Sequence, residues 1–189
     1  MIDRAHAHRM FARIAKDAGL RGEIRRGLRS GPATVLVGPL GALLPPQLTP
    51  YDERDWLDAT ALVVRFAAET SGERRSLAAA AGAAARVMGT RGDPNPGVLR
   101  RFTAAIAADR EDLPARLPAL LSMIGDAAET IDYVAVAADL GRWSFDDRGV
   151  QRRWAREFRA AAGMGLTDPE SETNPDQAAA DGSPSAPTK

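Results

Sequence analysis

Nowhere in this chain do apolar and polar residues alternate for the length of a half-buried strand; the apolar residues recur at helical spacing instead. The clearest case is DLGRWSFDDRGVQRRWAREFRAAAG, residues 139–163. Val150, Trp154 and Phe158 stand at i, i+4 and i+8, which on a helix is one stripe. Arg152, Arg156 and Arg159 project from the opposite side and Arg153 lies on a flank. Composition points the same way: much of the 44% hydrophobic content is alanine and aromatics make up only 5%, so good helix formers abound and strand formers are scarce.

Glycine and proline divide the pattern into segments. The periodicity predicts a first helix over 3–18, with Ala7, Phe11, Ile14, Ala15 and Ala18 on one face, and a short second one over 22–30. GPATVLVGPLGALLPPQL is too interrupted for a long helix and reads as a buried connection with one or two turns. A helix then starts at Pro50, with Thr49 suited to the N-cap and acids in the first turn. Further helices are expected at 73–88, 97–108, 113–125, 131–142 and 148–162. Trp56, Trp143, Trp154, Phe11, Phe66, Phe102 and Phe158 sit at core spacing. The expected architecture is all-α: a bundle of about seven to eight helices spanning 1–165, divisible at the GDPNPG break into sub-bundles 1–91 and 97–165. Residues 166–189, rich in Pro, Asp, Glu and Ser, have little to bury and are expected to be a disordered acidic tail.

Several function classes find no support. With no cysteine there is no disulfide framework, thiolate chemistry or cysteine-ligated zinc. No charged-then-apolar signal segment opens the sequence, and the alanine-rich apolar run SLAAAAGAAA at 76–85 falls far short of the roughly 20 residues of a membrane span. A cytoplasmic protein is the expectation. GPATVLVGPLG lacks the Gly-Lys-Ser/Thr ending of a phosphate-binding loop. His6 and His8, the only histidines, are two apart and on a helix would point in different directions, so no metal site is expected. The tight acid groups, Asp52/Glu53/Asp55 and Glu111/Asp112, fall at helix starts, where capping accounts for them. No catalytic constellation and no cofactor site emerges. Residues 113–143 could host a helix-turn-helix, but Arg116 and Arg142 are thin material for a recognition helix.

The arginines carry more. The formal net charge is zero, yet residues 167–189 hold five acids and one base, which leaves 24 basic against 20 acidic residues in 1–166. All but one of those 24 bases are arginine, a bias that a GC-rich genome also produces. Their placement is uneven: eight bases against three acids in 1–31, and six against three in 142–159. Arg9, Arg13 and Lys16 line up opposite Phe11; Arg25, Arg26 and Arg29 form a second group and Arg100 and Arg101 a third. One such stripe is ordinarily a solvated face. Several of them, with few acids at i±3 or i±4, can together form a track for a phosphate backbone, whose oxygens the guanidinium grips bidentately. Because most rings are needed in the core, few remain for base stacking, and contacts dominated by phosphates are expected. A helical adaptor whose basic faces dock an acidic protein is the alternative.

TIDYVAVAADLGRWSFDDRGVQRRWAREF resembles the C-terminal signature of the CasB family, the small subunit of the type I-E CRISPR Cascade complex. The matching residues are Ile131-Asp132-Tyr133, Asp139-Leu140 with Trp143, and Arg152 or Arg153 with Trp154 and Phe158. EIRRGLRSGP and LRRFTAAIAADREDLPARLPALL are similar to two further family segments. The resemblance implies an all-helical protein without enzymatic activity, present as two copies beside the backbone and large subunits, that helps hold the guide RNA–target DNA duplex and the displaced strand. By matched position it points to Arg25, Arg26, Arg100, Arg101 and Arg110; Arg29, Arg142, Arg152, Arg153 and Arg156 are candidates from their helix faces.

Overall fold

The computed structural model describes residues 4–44, 48–67 and 74–165; the expected disordered tail, 166–189, lies outside them. Among the described residues the α-helices are α1 (Arg4–Lys16), α2 (Ala18–Ser30), α3 (Pro32–Val37), α4 (Pro50–Phe66), α5 (Leu77–Val87), α6 (Pro96–Ile106), α7 (Leu113–Ile124), α8 (Tyr133–Leu140) and α9 (Gly149–Ala161). A 3-10 helix, Gly125–Thr130, joins α7 to α8. Extended pairing among these residues is limited to two isolated bridges, Arg75 with Ile131 and Thr90 with Asp93. The expected all-α class is what the chain adopts.

Side chains that cap helix starts set most of the boundaries. Thr49 accepts the Asp52 N–H at 3.1 Å with Pro50 in the first helical position, Ser76 accepts from Ala79 at 3.1 Å, and Asn95 and Asp132 cap α6 and α8. At the first junction the structure departs from the periodicity. The chain leaves helical geometry at Asp17 (φ −90°, ψ 102°), whose carboxylate accepts the Leu20 N–H at 2.9 Å. An aspartate that caps the next helix ends the preceding one. α1 therefore stops at Lys16, and Ala18 opens α2 as an exposed residue instead of completing the apolar face of Ala7, Phe11, Ile14 and Ala15. The segment expected as a connection contributes the short helix α3, packed so closely on α2 that a Cβ on Gly27 would come within 2.7 Å of the Val35 side chain.

The helix pairings sort into two groups. In the first, α4 packs against α8, α1 and α2, and α1 also meets α2 and α8. In the second, α5 lies on α9, α6, α7 and the 3-10 helix, with α6 against α7 and α9. The chain thus fills the first group through α4, the second through residue 130, returns with α8 and crosses again with α9. The 92–97 break lies inside the second group. Each group has an aromatic centre: Phe11 on Trp56 at 5.1 Å between ring centroids in the first, and in the second Phe102 stacked on Phe158 at 4.2 Å, with Trp143 edge-on to Trp154 at 5.0 Å. Burying each such side chain contributes about 1.5–3 kcal/mol. Phe66 is only half-buried, under the Arg65 guanidinium.

Candidate nucleic-acid interface

α9 is where the predicted division of labour is most complete. Val150, Trp154 and Phe158 are all buried, together with Gln151, whose amide donates to the Trp143 carbonyl at 2.8 Å. On the reverse side Arg152, Arg156 and Arg159 are exposed. Arg152 lies 3.8 Å from Asp147, but both side chains are more than 60% exposed, so the pair is weak. Arg156 and Arg159 have no side-chain hydrogen bond or ion pair among the described residues. Arg153, on the flank, is tied down: it donates to Asp139 and lies 3.7 Å from Glu157, while Asp139 also accepts the Trp154 indole N–H at 2.7 Å.

The other predicted arginines divide in the same manner. On α2, Arg26 and Arg29 are exposed and without side-chain partners among the described residues, whereas Arg25, though exposed, donates to the Val64 carbonyl at 3.0 Å and fastens α2 to the last turn of α4. On α6, Arg100 is free in the same sense; Arg101 is half-buried, 3.4 Å from the Gly97 carbonyl and 3.3 Å from the Met123 sulfur. Arg142 is exposed in the turn after α8. These residues occupy four separate segments: α2 in the first group, α6 and α9 in the second, and the α8–α9 connection.

Arg110 stands apart. Only 8% exposed, it sits in the α6–α7 connection with its guanidinium in a carboxylate clamp from α4: Nε donates to Asp55 at 3.1 Å and Nη2 to Asp55 and to Asp58, the latter at 2.8 Å. Burial by itself would lower the Arg110 pKa; the hydrogen bonds to Asp55 and Asp58 outweigh it and hold the guanidinium above its ordinary value, charged at any working pH. Burial pushes the Asp55 carboxyl above its usual value, against the lowering by Arg110. Arg110, matched by position to a family segment, is thus a guanidinium that α4 already occupies, because a sequence pattern does not say which arginine meets carboxylates brought from 52–55 residues away.

Beside this clamp is an open pocket of about 400 Å³ between residues 108–111 and 143–151. Its rim carries Asp109, Glu111 and Asp146 against Arg148, a balance that disfavours phosphate, so the pocket is chemically distinct from the arginine faces. Among the described residues there is no group of three or more His, Cys, Asp or Glu placed to hold a metal ion, and no helix long and apolar enough to cross a membrane. The His6 ring makes a 2.9 Å hydrogen bond with the Leu43 carbonyl.

Two exposed cations join the predicted set. Arg159 continues the Arg152–Arg156 stripe by one more turn, which its i+7 spacing already announces. Arg86 comes from α5 and lies against Gly163 at the end of α9, its guanidinium 3.6–3.8 Å from where a Cβ would sit. Nothing near Arg86 in the sequence signals that proximity; the α5–α9 crossing creates it.

Residues 21–158 match the family described as CRISPR-associated protein Cse2. A CRISPR-associated protein Cse2 of Thermus thermophilus is 34% identical over 77 residues, which cover 41% of this chain and 44% of that relative, less than half its length. Among solved structures, a Cse2-family CRISPR-associated protein from Thermus thermophilus is similar with a TM-score of 0.58 at 25% identity, covering 80% of this chain and 94% of its own. The crystal structure of M. ruber CasB gives 0.62 at 22% identity, over 87% and 97%, a likeness of fold.

Proposed function

The chain belongs to the Cse2 family of CRISPR-associated proteins, and from that premise we propose that it is a non-catalytic subunit of a type I-E Cascade complex that holds nucleic acid through arginine–phosphate contacts. It sits, two copies to a complex, beside the backbone and large subunits and steadies the guide RNA–target DNA duplex and the displaced strand. The observation that carries this reading is the exposed stripe Arg152–Arg156–Arg159 on the side of α9 opposite its sealed aromatic seam. Arg26 and Arg29, Arg100 and Arg142 extend the cationic surface to other segments. Exchange of a DNA duplex for an RNA–DNA heteroduplex is nearly balanced, so a few backbone contacts suffice to tip it. Arg25, Arg101, Arg110 and Arg153 serve chiefly to hold helices together.

The test is anisotropy binding of random-sequence single- and double-stranded DNA, by the protein and by its assembled complex, across a salt series. Replacing Arg26, Arg29, Arg100, Arg152 and Arg156 by alanine should weaken binding uniformly across sequences. It should also flatten the slope of log K against log salt by roughly 0.7–0.9 for each phosphate contact removed. An unchanged slope in an intact complex, or no binding by protein or complex even at about 50 mM salt, overturns the reading. If the variants release a protein subunit while nucleic-acid affinity stays intact, the adaptor reading replaces it.

A further inference from the structure

The end of α9 is built as a cationic corner. The helix closes with the Gly163 N–H bonded to the Ala160 carbonyl at 3.3 Å and the Met164 N–H to the Arg159 carbonyl at 3.0 Å, with Gly163 at φ 71°. This Schellman pattern stops the helix sharply, and Met164 packs back on the core. The end of α9 therefore sits beside Arg86, which lies against Gly163, one turn from Arg159 and two from Arg156. Arg86, Arg156 and Arg159 are exposed with no side-chain partner among the described residues, and Arg152 has only its weak contact with Asp147. The remaining C-terminal sequence has the opposite charge: Asp168, Glu170, Glu172, Asp176 and Asp181 against Lys189.

We propose that residues 167–189 dock on the face formed by Arg86, Arg152, Arg156 and Arg159, and so occupy the surface assigned above to phosphates. The docking stands on charge and placement; the competition it implies rests on the proposed function. A segment joined to the rim of its own site by a few residues meets it at an effective concentration on the order of millimolar. Each exposed ion pair contributes only about 0–1 kcal/mol, so the contact is reversible. A long polyanion, which engages more arginines at once, displaces it, whereas a small anion does not. The segment thus acts as an internal competitor that favours extended nucleic acid over small or brief anionic contacts. Salt weakens both interactions together, since the Debye length is only about 8 Å at physiological ionic strength.

The chain has no cysteine, so Ser183→Cys in the full-length protein carries a single nitroxide. Broadening of the backbone amides of residues 152–159 is expected beyond that seen in a control carrying Asp168→Asn, Glu170→Gln, Glu172→Gln, Asp176→Asn and Asp181→Asn, and it should fade at high salt. The same five changes, without the label, should tighten binding of random-sequence single-stranded DNA by roughly two- to tenfold at low salt. Equal broadening in the acidic and neutralised chains overturns the docking. Charge-dependent broadening with unchanged DNA affinity upholds the docking and overturns the assignment of this face to phosphates.

Discussion

Asp139 accepts from both Arg153 and the Trp154 indole, Asp132 caps α8 through the Val134 and Ala135 N–H groups, and the Trp143 indole donates to the Ala108 carbonyl at 2.9 Å. The residues that carry the family signature are thus largely residues that close the fold. Tyr133 belongs with them: 1% exposed, its hydroxyl donates to the Ala128 carbonyl at 2.9 Å. Burial first, and then the nearby Glu129 charge, raise its pKa above the ordinary value of about 10. Because the folded value exceeds the unfolded one, the phenolate favours the unfolded chain. The stability Tyr133 contributes is intact below about pH 10 and falls above it, by up to roughly 1.4 kcal/mol per pH unit. Denaturant titrations between pH 8 and 11 should show a steeper alkaline loss for the native protein than for Tyr133→Phe; parallel profiles would show that the hydroxyl is not sealed. The burial of Tyr133 is readable from its spacing with Val134, Ala137 and Leu140. Its partner is not, since a backbone carbonyl leaves no mark in side-chain pattern.

At the scale of the helix, local chemistry reads well and crossings read poorly. Thr49-Pro50 announces α4 because cap and first-turn preferences act within a few residues. Asp17 has an equally local role, but the apolar spacing of α1 continues through it, and the cap decides only once α2 has somewhere to pack. The α5–α9 crossing is set by Gly82: a Cβ there would collide with the Phe158 carbonyl and stand 3.0 Å from the Ala161 side chain and 3.1 Å from the Ala162 nitrogen. In sequence Gly82 is one interruption in an alanine run, and in an isolated helix alanine would be better by about 1 kcal/mol. In this protein Gly82→Ala should destabilise despite that gain, with overpacking costing about 1–3 kcal/mol, measured as a lower midpoint in chemical denaturation at unchanged m-value. A stabilised variant would mean the two helices part without loss.

Across the whole molecule, the two helix groups meet through contact between α4 and α7, through the bonds from Arg153 and Trp154 of α9 to Asp139 of α8, and through the Arg110 clamp on Asp55 and Asp58. Arg110→Ala leaves two carboxylates without their cation at a largely buried site and should cost about 3–5 kcal/mol in denaturant unfolding, whereas Arg156→Ala should leave stability nearly unchanged. A small effect at Arg110 would show that water replaces the guanidinium at the junction. This contrast also marks how far sequence reaches. The helical class, most helix positions, the aromatic seam of α9 and the arginine stripe behind it follow from spacing along a single helix, because the 3.6-residue turn sets which side chains share a face. The order in which helices pair, α8 returning to α4 and α5 lying across α9, depends on contacts between distant segments that leave no periodic trace. So does the sorting of the arginines: Arg100 and Arg110 look alike in the sequence, and only the arrival of α4 makes one a buried tie while the other stays free to meet an anion.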